Sequence, residues 1–193
     1  MKNLFISALR CSEKSFAIKY TVIRNAALCF CFTTFTAFLL NSCKKFEPKY
    51  PDADIINMYK GLSKQTILEL QQARAATERY RDLENAIADG YSNINVDVPN
   101  MGHHFMKTSL VDDTFDIRKP EILVYNGLAT GHPELVAVEY AIPLTSPMPE
   151  GFTGANDVWN STSGFPLWLV HAWVWKYNPD GVFNWTNPSV ELH

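Results

Sequence analysis

His103, His104, Glu139 and His171 are the side chains of this sequence best suited to chemistry. Imidazole nitrogens and carboxylate oxygens bind Zn(II), Fe(II) and Mn(II), and two histidines with one carboxylate compose a facial metal set with open positions. His104, Glu139 and His171 are therefore a candidate site for a divalent transition metal (Zn, Fe or Mn), with His103 as the alternative to His104. Neighbouring residues of a strand point to opposite faces, so only one of the two adjacent histidines can join the set. Without metal, His171 oriented by Glu139 would make a general base. A third reading is structural: a buried, hydrogen-bonded Glu–His pair that satisfies two polar groups in the core. Isolated histidines within strands more often do that than ligate.

Other chemistries are excluded by pattern. There is no GxSxG elbow, HExxH, phosphate-binding loop or GxGxxG fingerprint. The order His, Glu, His is also that of cupins, but here the histidines are adjacent and Glu139 follows His104 by 35 residues, a spacing that fails that family. Asp112, Asp113 and Asp116 lack EF-hand spacing and read as a solvated turn. His132 beside Pro133 reads as a turn residue and His193 ends the chain. The five tryptophans all lie at or after Trp159. They read as core, although aromatic side chains beside a long loop could also line a site for an apolar or sugar ligand.

The elements that must position these residues are legible as periods. Ser63 is a predicted N-cap and Gly90 a predicted C′ residue. Between them Ile67, Leu70, Ala73, Thr77, Tyr80, Leu83 and Ile87 recur at three- and four-residue steps, predicting one long amphipathic helix. Lys64, Glu69, Arg74, Glu78, Arg81, Asp82 and Glu84 fall on its other side, expected to be solvated. After Gly90 the period becomes two, with strands expected over 94–98, 101–107, 121–125, 134–142 and 167–177 and turns at Pro99-Asn100, Lys119-Pro120, Asn126-Gly127 and 131–133. The fold class is thus α+β, one long helix packed on an antiparallel sheet of about five strands. On the fourth strand Glu139 shares a face with Leu135, Ala137 and Ala141, small enough to leave room for a partner. On the fifth, His171 shares one with Leu169, Trp173 and Trp175. If these two strands are neighbours, Glu139 and His171 face each other. The connection 143–166 contains four prolines and three glycines without either period, and loops of that length in a domain are commonly functional, so a lid is expected there.

The chain has 193 residues with a net charge of −3, but Lys2, Arg10, Lys14, Lys19 and Arg24 against Glu13 leave residues 1–42 at +4 and the remainder at −7. Such an acidic body repels phosphate backbones and is not expected to bind nucleic acid. All four cysteines lie at or before Cys43, which excludes zinc ribbons, CxxC redox chemistry and disulfide stapling of the body. From Asn25 to Cys43 there is no charge, a targeting pattern after a basic stretch. Its end, Leu40-Asn41-Ser42-Cys43, resembles the lipobox of bacterial lipoproteins, which implies lipidation of Cys43 and cleavage before it. Residues 1–42 are then a lipoprotein signal peptide, 43–62 a Pro-containing tether and 63–193 one domain. An uncleaved anchor is the alternative, since ~20 apolar residues can span a bilayer. Lys44 after the cysteine implies the outer membrane, facing the periplasm.

Three segments, Ala76-Thr-Glu-Arg-Tyr80 through Asp89-Gly-Tyr91, Met101-Gly-His-His104, and His171-Ala-Trp-Val-Trp175 with Asn178-Pro-Asp-Gly-Val-Phe183 and Asn187-Pro188, together resemble a family of exported bacterial proteins without an assigned function. Val136-Ala-Val-Glu-Tyr140 fits the same family. The resemblance spans about residues 70–190, implies one domain and favours His104 over His103; cysteines that many members carry are missing from this body. It implies no activity. The functional expectation is a membrane-anchored envelope lipoprotein that binds a small ligand or a metal. The alternatives are a metal-dependent enzyme using the His/Glu cluster and a purely structural or interaction protein.

Overall fold

The computed structural model describes residues 57–192. The expected signal peptide, the expected lipidation site Cys43, the expected tether up to residue 56 and His193 lie outside the described residues. The elements in chain order are helix α1 (Lys64–Thr77), a 3-10 turn (Glu78–Arg81), helix α2 (Leu83–Ala88), and strands β1 (Ser92–Val98), β2 (Gly102–Met106), β3 (Ile122–Asn126), β4 (Glu134–Pro143) and β5 (Leu167–Ala172). The strands form one antiparallel sheet in the order β1-β2-β3-β4-β5, each paired with its sequence neighbour. Local connections of this kind suit an antiparallel meander, and the α+β class is the observed one.

The helical segment starts where its sequence says. The Ser63 hydroxyl accepts from the Thr66 N–H at 3.0 Å, which satisfies one of the first-turn donors. Its end is also as expected: Gly90 takes φ +98°, and the Gly90 and Tyr91 amides return to Ile87 and Ala86, a glycine-terminated closure. Between these points the expected single helix is broken. Thr77 leaves helical geometry, and Asp82, with φ −91° and ψ 113°, caps a new helix by accepting from the Glu84 N–H. The break is held by tertiary bonds: Trp175 Nε1 donates to Thr77 Oγ1 at 3.0 Å, and the Tyr125 hydroxyl donates to the Tyr80 carbonyl at 2.5 Å.

Two supposedly solvated residues of α1 are in fact structural. Glu69 is buried and accepts from both the amide and the hydroxyl of Thr153, at 2.7 and 2.6 Å. Burial alone would raise its carboxyl, but bonds from Thr153 and Gln65 outweigh it and hold the group below the usual range. Arg74 donates to the Val174 carbonyl, and its guanidinium lies 4.0 Å from the Trp175 ring centroid. The folded body also begins before residue 63: Met58 and Tyr59, expected in the tether, are buried in the core.

Strand β5 is shorter than the apolar run suggests. It ends at Ala172, after which the amides of Trp175 and Lys176 both reach the Val136 carbonyl and that of Trp173 reaches Val182. Trp173 and Trp175 therefore do not extend the His171 face of the sheet.

The 143–166 connection is closed at its neck by the Leu144 N–H donating to the Pro166 carbonyl at 3.0 Å. It wraps the outer edge of β5, where Asn160 and Leu169 exchange both backbone bonds. Phe152 packs on Tyr140 and Phe183 on one side of the sheet, while Phe165 lies on the other. Thr153, bonded to α1 through Glu69 and Thr66, anchors its middle. The expected lid is a belt fastened at three points. Among the described residues no helix is long and apolar enough to cross a membrane.

Candidate functional site

The register decides which side chains meet. Residues opposed across an antiparallel ladder share a face, so Met106, Ile122, Glu139 and His171 form a row across β2 to β5, and His104, Val124 and Ala137 form the next. Glu139 and His171 are direct partners on β4 and β5. His104 reaches the same place diagonally, its Nε2 3.7 Å from Glu139 Oε2.

Gly102 makes this approach feasible. It sits at φ +127°, and a Cβ there would lie 2.6 Å from the Tyr125 carbonyl oxygen and 2.9 Å from the Val124 side chain. Only glycine admits that geometry, so the Met-Gly-His-His segment starts β2 tight against β3. The preceding turn has Pro99 at its second position and Asn100 at its third with φ +60°, closed by the Met101 N–H on the Val98 carbonyl at 3.0 Å, as a type II turn requires.

His103 points to the opposite face. Its Nδ1 lies 2.7 Å from the exposed Asp97 carboxylate, and it contributes nothing to the His104–Glu139 pair.

Burial sets the protonation of the cluster. His104, Glu139 and His171 are 3%, 3% and 1% exposed. Desolvation pushes the Glu139 carboxyl up to about 8, so at neutral pH it is mostly the uncharged acid. Burial lowers His104, offset in part by its bond to the Val96 carbonyl. It lowers His171 well below the ordinary value, with the nearby His104 adding to the effect. His104 Nδ1 lies 2.8 Å from the Val96 carbonyl oxygen. A carbonyl can only accept, so Nδ1 carries the proton and Nε2 presents a bare lone pair toward Glu139. At 3.7 Å the two are too far apart for a direct hydrogen bond. Both ring nitrogens of His171 are buried without a partner among the described residues; the ring packs on Trp173 and Trp185 at centroid distances of 4.6 and 5.9 Å.

His104 and Glu139 line a cavity of about 390 Å³ on this face of the sheet, within the usual size range for small-molecule sites. Its walls are mainly aliphatic: Ile94, Val96 and Val98 of β1, Met106 of β2, Ile122 of β3, and Leu167 and Leu169 of β5. Asn160, Ser163 and Phe165 of the belt, with Trp185 and Thr186, complete it. Periodicity could mark the strand residues. It could not find the belt and C-terminal ones, whose positions follow from non-local bonds such as Asn160 to Leu169.

The metal set expected from His104, Glu139 and His171 is not assembled as one: among the described residues no group of three or more His, Cys, Asp or Glu side chains is arranged to hold a metal ion. His104 and Glu139 approach each other at the wall of an apolar pocket, and His171 lies beside Glu139 on β5 with its nitrogens without a partner among the described residues. The aspartates of the 112–116 turn are occupied locally, Asp112 by the Thr114 N–H, and Asp116 by Arg118 N–H and by Lys119 at 2.9 Å. Glu121, not singled out by sequence, is a second buried acid raised to about 8 by burial; it accepts from the Ala141 N–H at 3.0 Å, terminating β3 against β4.

No family model, curated protein or solved structure matches the chain.

Proposed function

We propose that this protein is a binding module for a small, largely apolar molecule, held in the cavity over the His104–Glu139 pair. One observation carries the reading: an aliphatic pocket has at its wall a buried acid and a buried imidazole 3.7 Å apart that do not bond each other. Both groups open onto the pocket, and a ligand that engages them gains two hydrogen bonds, about 0.5–1.5 kcal/mol each, while its apolar part fills the pocket. Titration of the full chain with the neutral fluorophore N-phenyl-1-naphthylamine tests it. Saturable one-to-one binding, weakened about tenfold or more when Ile94→Trp fills the pocket from the edge strand, supports the module. Binding unaffected by Ile94→Trp contradicts it.

Delivery to the cell envelope belongs to the same proposal. The basic start, the uncharged run to Cys43 and the lipobox-like Leu40-Asn41-Ser42-Cys43 support a lipid-anchored protein, on the outer membrane and facing the periplasm. A binding module on a tether is the reading that an apolar pocket over a buried acid and imidazole supports.

A further inference from the structure

We propose that the ligand carries a hydroxyl group on its apolar body, and that the hydroxyl oxygen sits between His104 Nε2 and Glu139 Oε2. The inference rests on the pocket reading and specifies the head group it takes. His104 offers an acceptor there, because its Nδ1 proton is committed to the Val96 carbonyl 2.8 Å away. Glu139 offers a donor. Its neighbour on β5, His171, bonds nothing through either nitrogen, so the acid proton is not drawn to that side, and among the described residues no hydrogen bond reaches the Glu139 carboxyl.

A group facing one donor and one acceptor must itself accept and donate. An alcohol does both. An ether or ketone only accepts and leaves Nε2 unpaired; a carboxylate only accepts and brings a charge into an apolar cavity; an ammonium only donates and brings a charge as well. The distance fits a single atom. An oxygen at ordinary hydrogen-bond lengths of ~2.7–2.8 Å from both groups, with those groups 3.7 Å apart, subtends an angle of roughly 85° between them, within what a hydroxyl accommodates. A sugar would bring several hydroxyls to walls that are mainly aliphatic and offer, beyond this pair, the Asn160, Ser163, Trp185 and Thr186 side chains as polar partners.

Competition on the full chain against bound N-phenyl-1-naphthylamine tests the head group with four probes of nearly equal length: 1-octanol, heptyl methyl ether, octanoate and octylamine. At pH 7, 1-octanol should compete at least about tenfold better than each of the others. Glu139→Gln keeps a donor and should retain octanol binding, whereas Glu139→Leu should reduce octanol to the level of the ether. Ether, octanoate or octylamine competing as well as octanol overturns the hydroxyl inference while leaving the pocket reading intact. If none of the four competes and Ile94→Trp leaves dye binding unchanged, both fall. Should Glu139→Leu fail to fold, the comparison of probes on wild type and on Glu139→Gln still decides.

Discussion

Glu139 and His104 face each other from β4 and β2 across 3.7 Å, both buried and neither bonded to the other. Strand β3 passes between them and contributes Ile122 and Val124 to that face. The pair is a diagonal contact made by register, and the acid is uncharged because nothing cationic or hydrogen-bonding compensates its burial.

That neutrality has a pH signature. An acid raised to about 8 in the folded chain, against 4.5 free, binds a proton that the unfolded chain has lost. Stability contributed this way is fully present below pH 4.5 and is lost as pH rises through 8. Glu121 acts in the same direction. His104 and His171, lowered, act oppositely: they cost stability below about 6.5, where the unfolded chain takes up protons that the folded one refuses. The histidines therefore mask the acids below pH 6.5, and the uncompensated window is pH 6.5–8. Denaturant unfolding should show stability falling there by about 1–2 kcal/mol per carboxyl, and Glu139→Gln should remove roughly half of the fall. A flat profile through that window would contradict the buried neutral acid.

His171 should be dispensable for folding. Both of its nitrogens are buried without partners, so His171→Leu removes an unmet desolvation cost of about 1–3 kcal/mol and loses only ring contacts. Its melting temperature should equal or exceed that of the wild type. His104→Leu loses the bond to the Val96 carbonyl and should be less stable than His171→Leu by about 1 kcal/mol. A strongly destabilised His171→Leu would show that the ring has a partner in solution.

The belt should depend on one carboxylate. Glu69→Ala removes both bonds to Thr153 and leaves its amide unmet, costing about 1–3 kcal/mol. Amide hydrogen exchange should quicken around residue 153 while the central strands keep their protection. Uniform quickening across the sheet would mean the belt is not a separable element.

Radiolabelled palmitate should be incorporated by the wild type in a bacterial host and not by Cys43→Ser. An unlabelled wild type would remove the lipid anchor from the proposal.

How much was legible depended on range. Ser63 and Gly90 act through bonds to residues a few positions away, so the ends of the helical segment could be read directly. Its interruption at Thr77–Asp82 could not. The Ala-Thr-Glu-Arg-Tyr stretch keeps a helical period, and the groups that hold the break, Trp175 and Tyr125, lie 98 and 45 residues away. Likewise the alternation of β5 runs on past Ala172, but the turn that ends the strand is held by the carbonyls of Val136 and Val182.

By itself the amino-acid order determined the α+β class, the five extended segments and the opposition of His103 to His104, because a strand's period of two is a property of the local backbone. Only the tertiary structure decided that Glu139 pairs with His171 in register yet meets His104 at the pocket, that the belt closes one wall, and that Glu69 is an anchor. Those outcomes turn on hydrogen-bond ladders and burial between segments tens of residues apart, and protonation follows burial, which no single stretch of sequence contains.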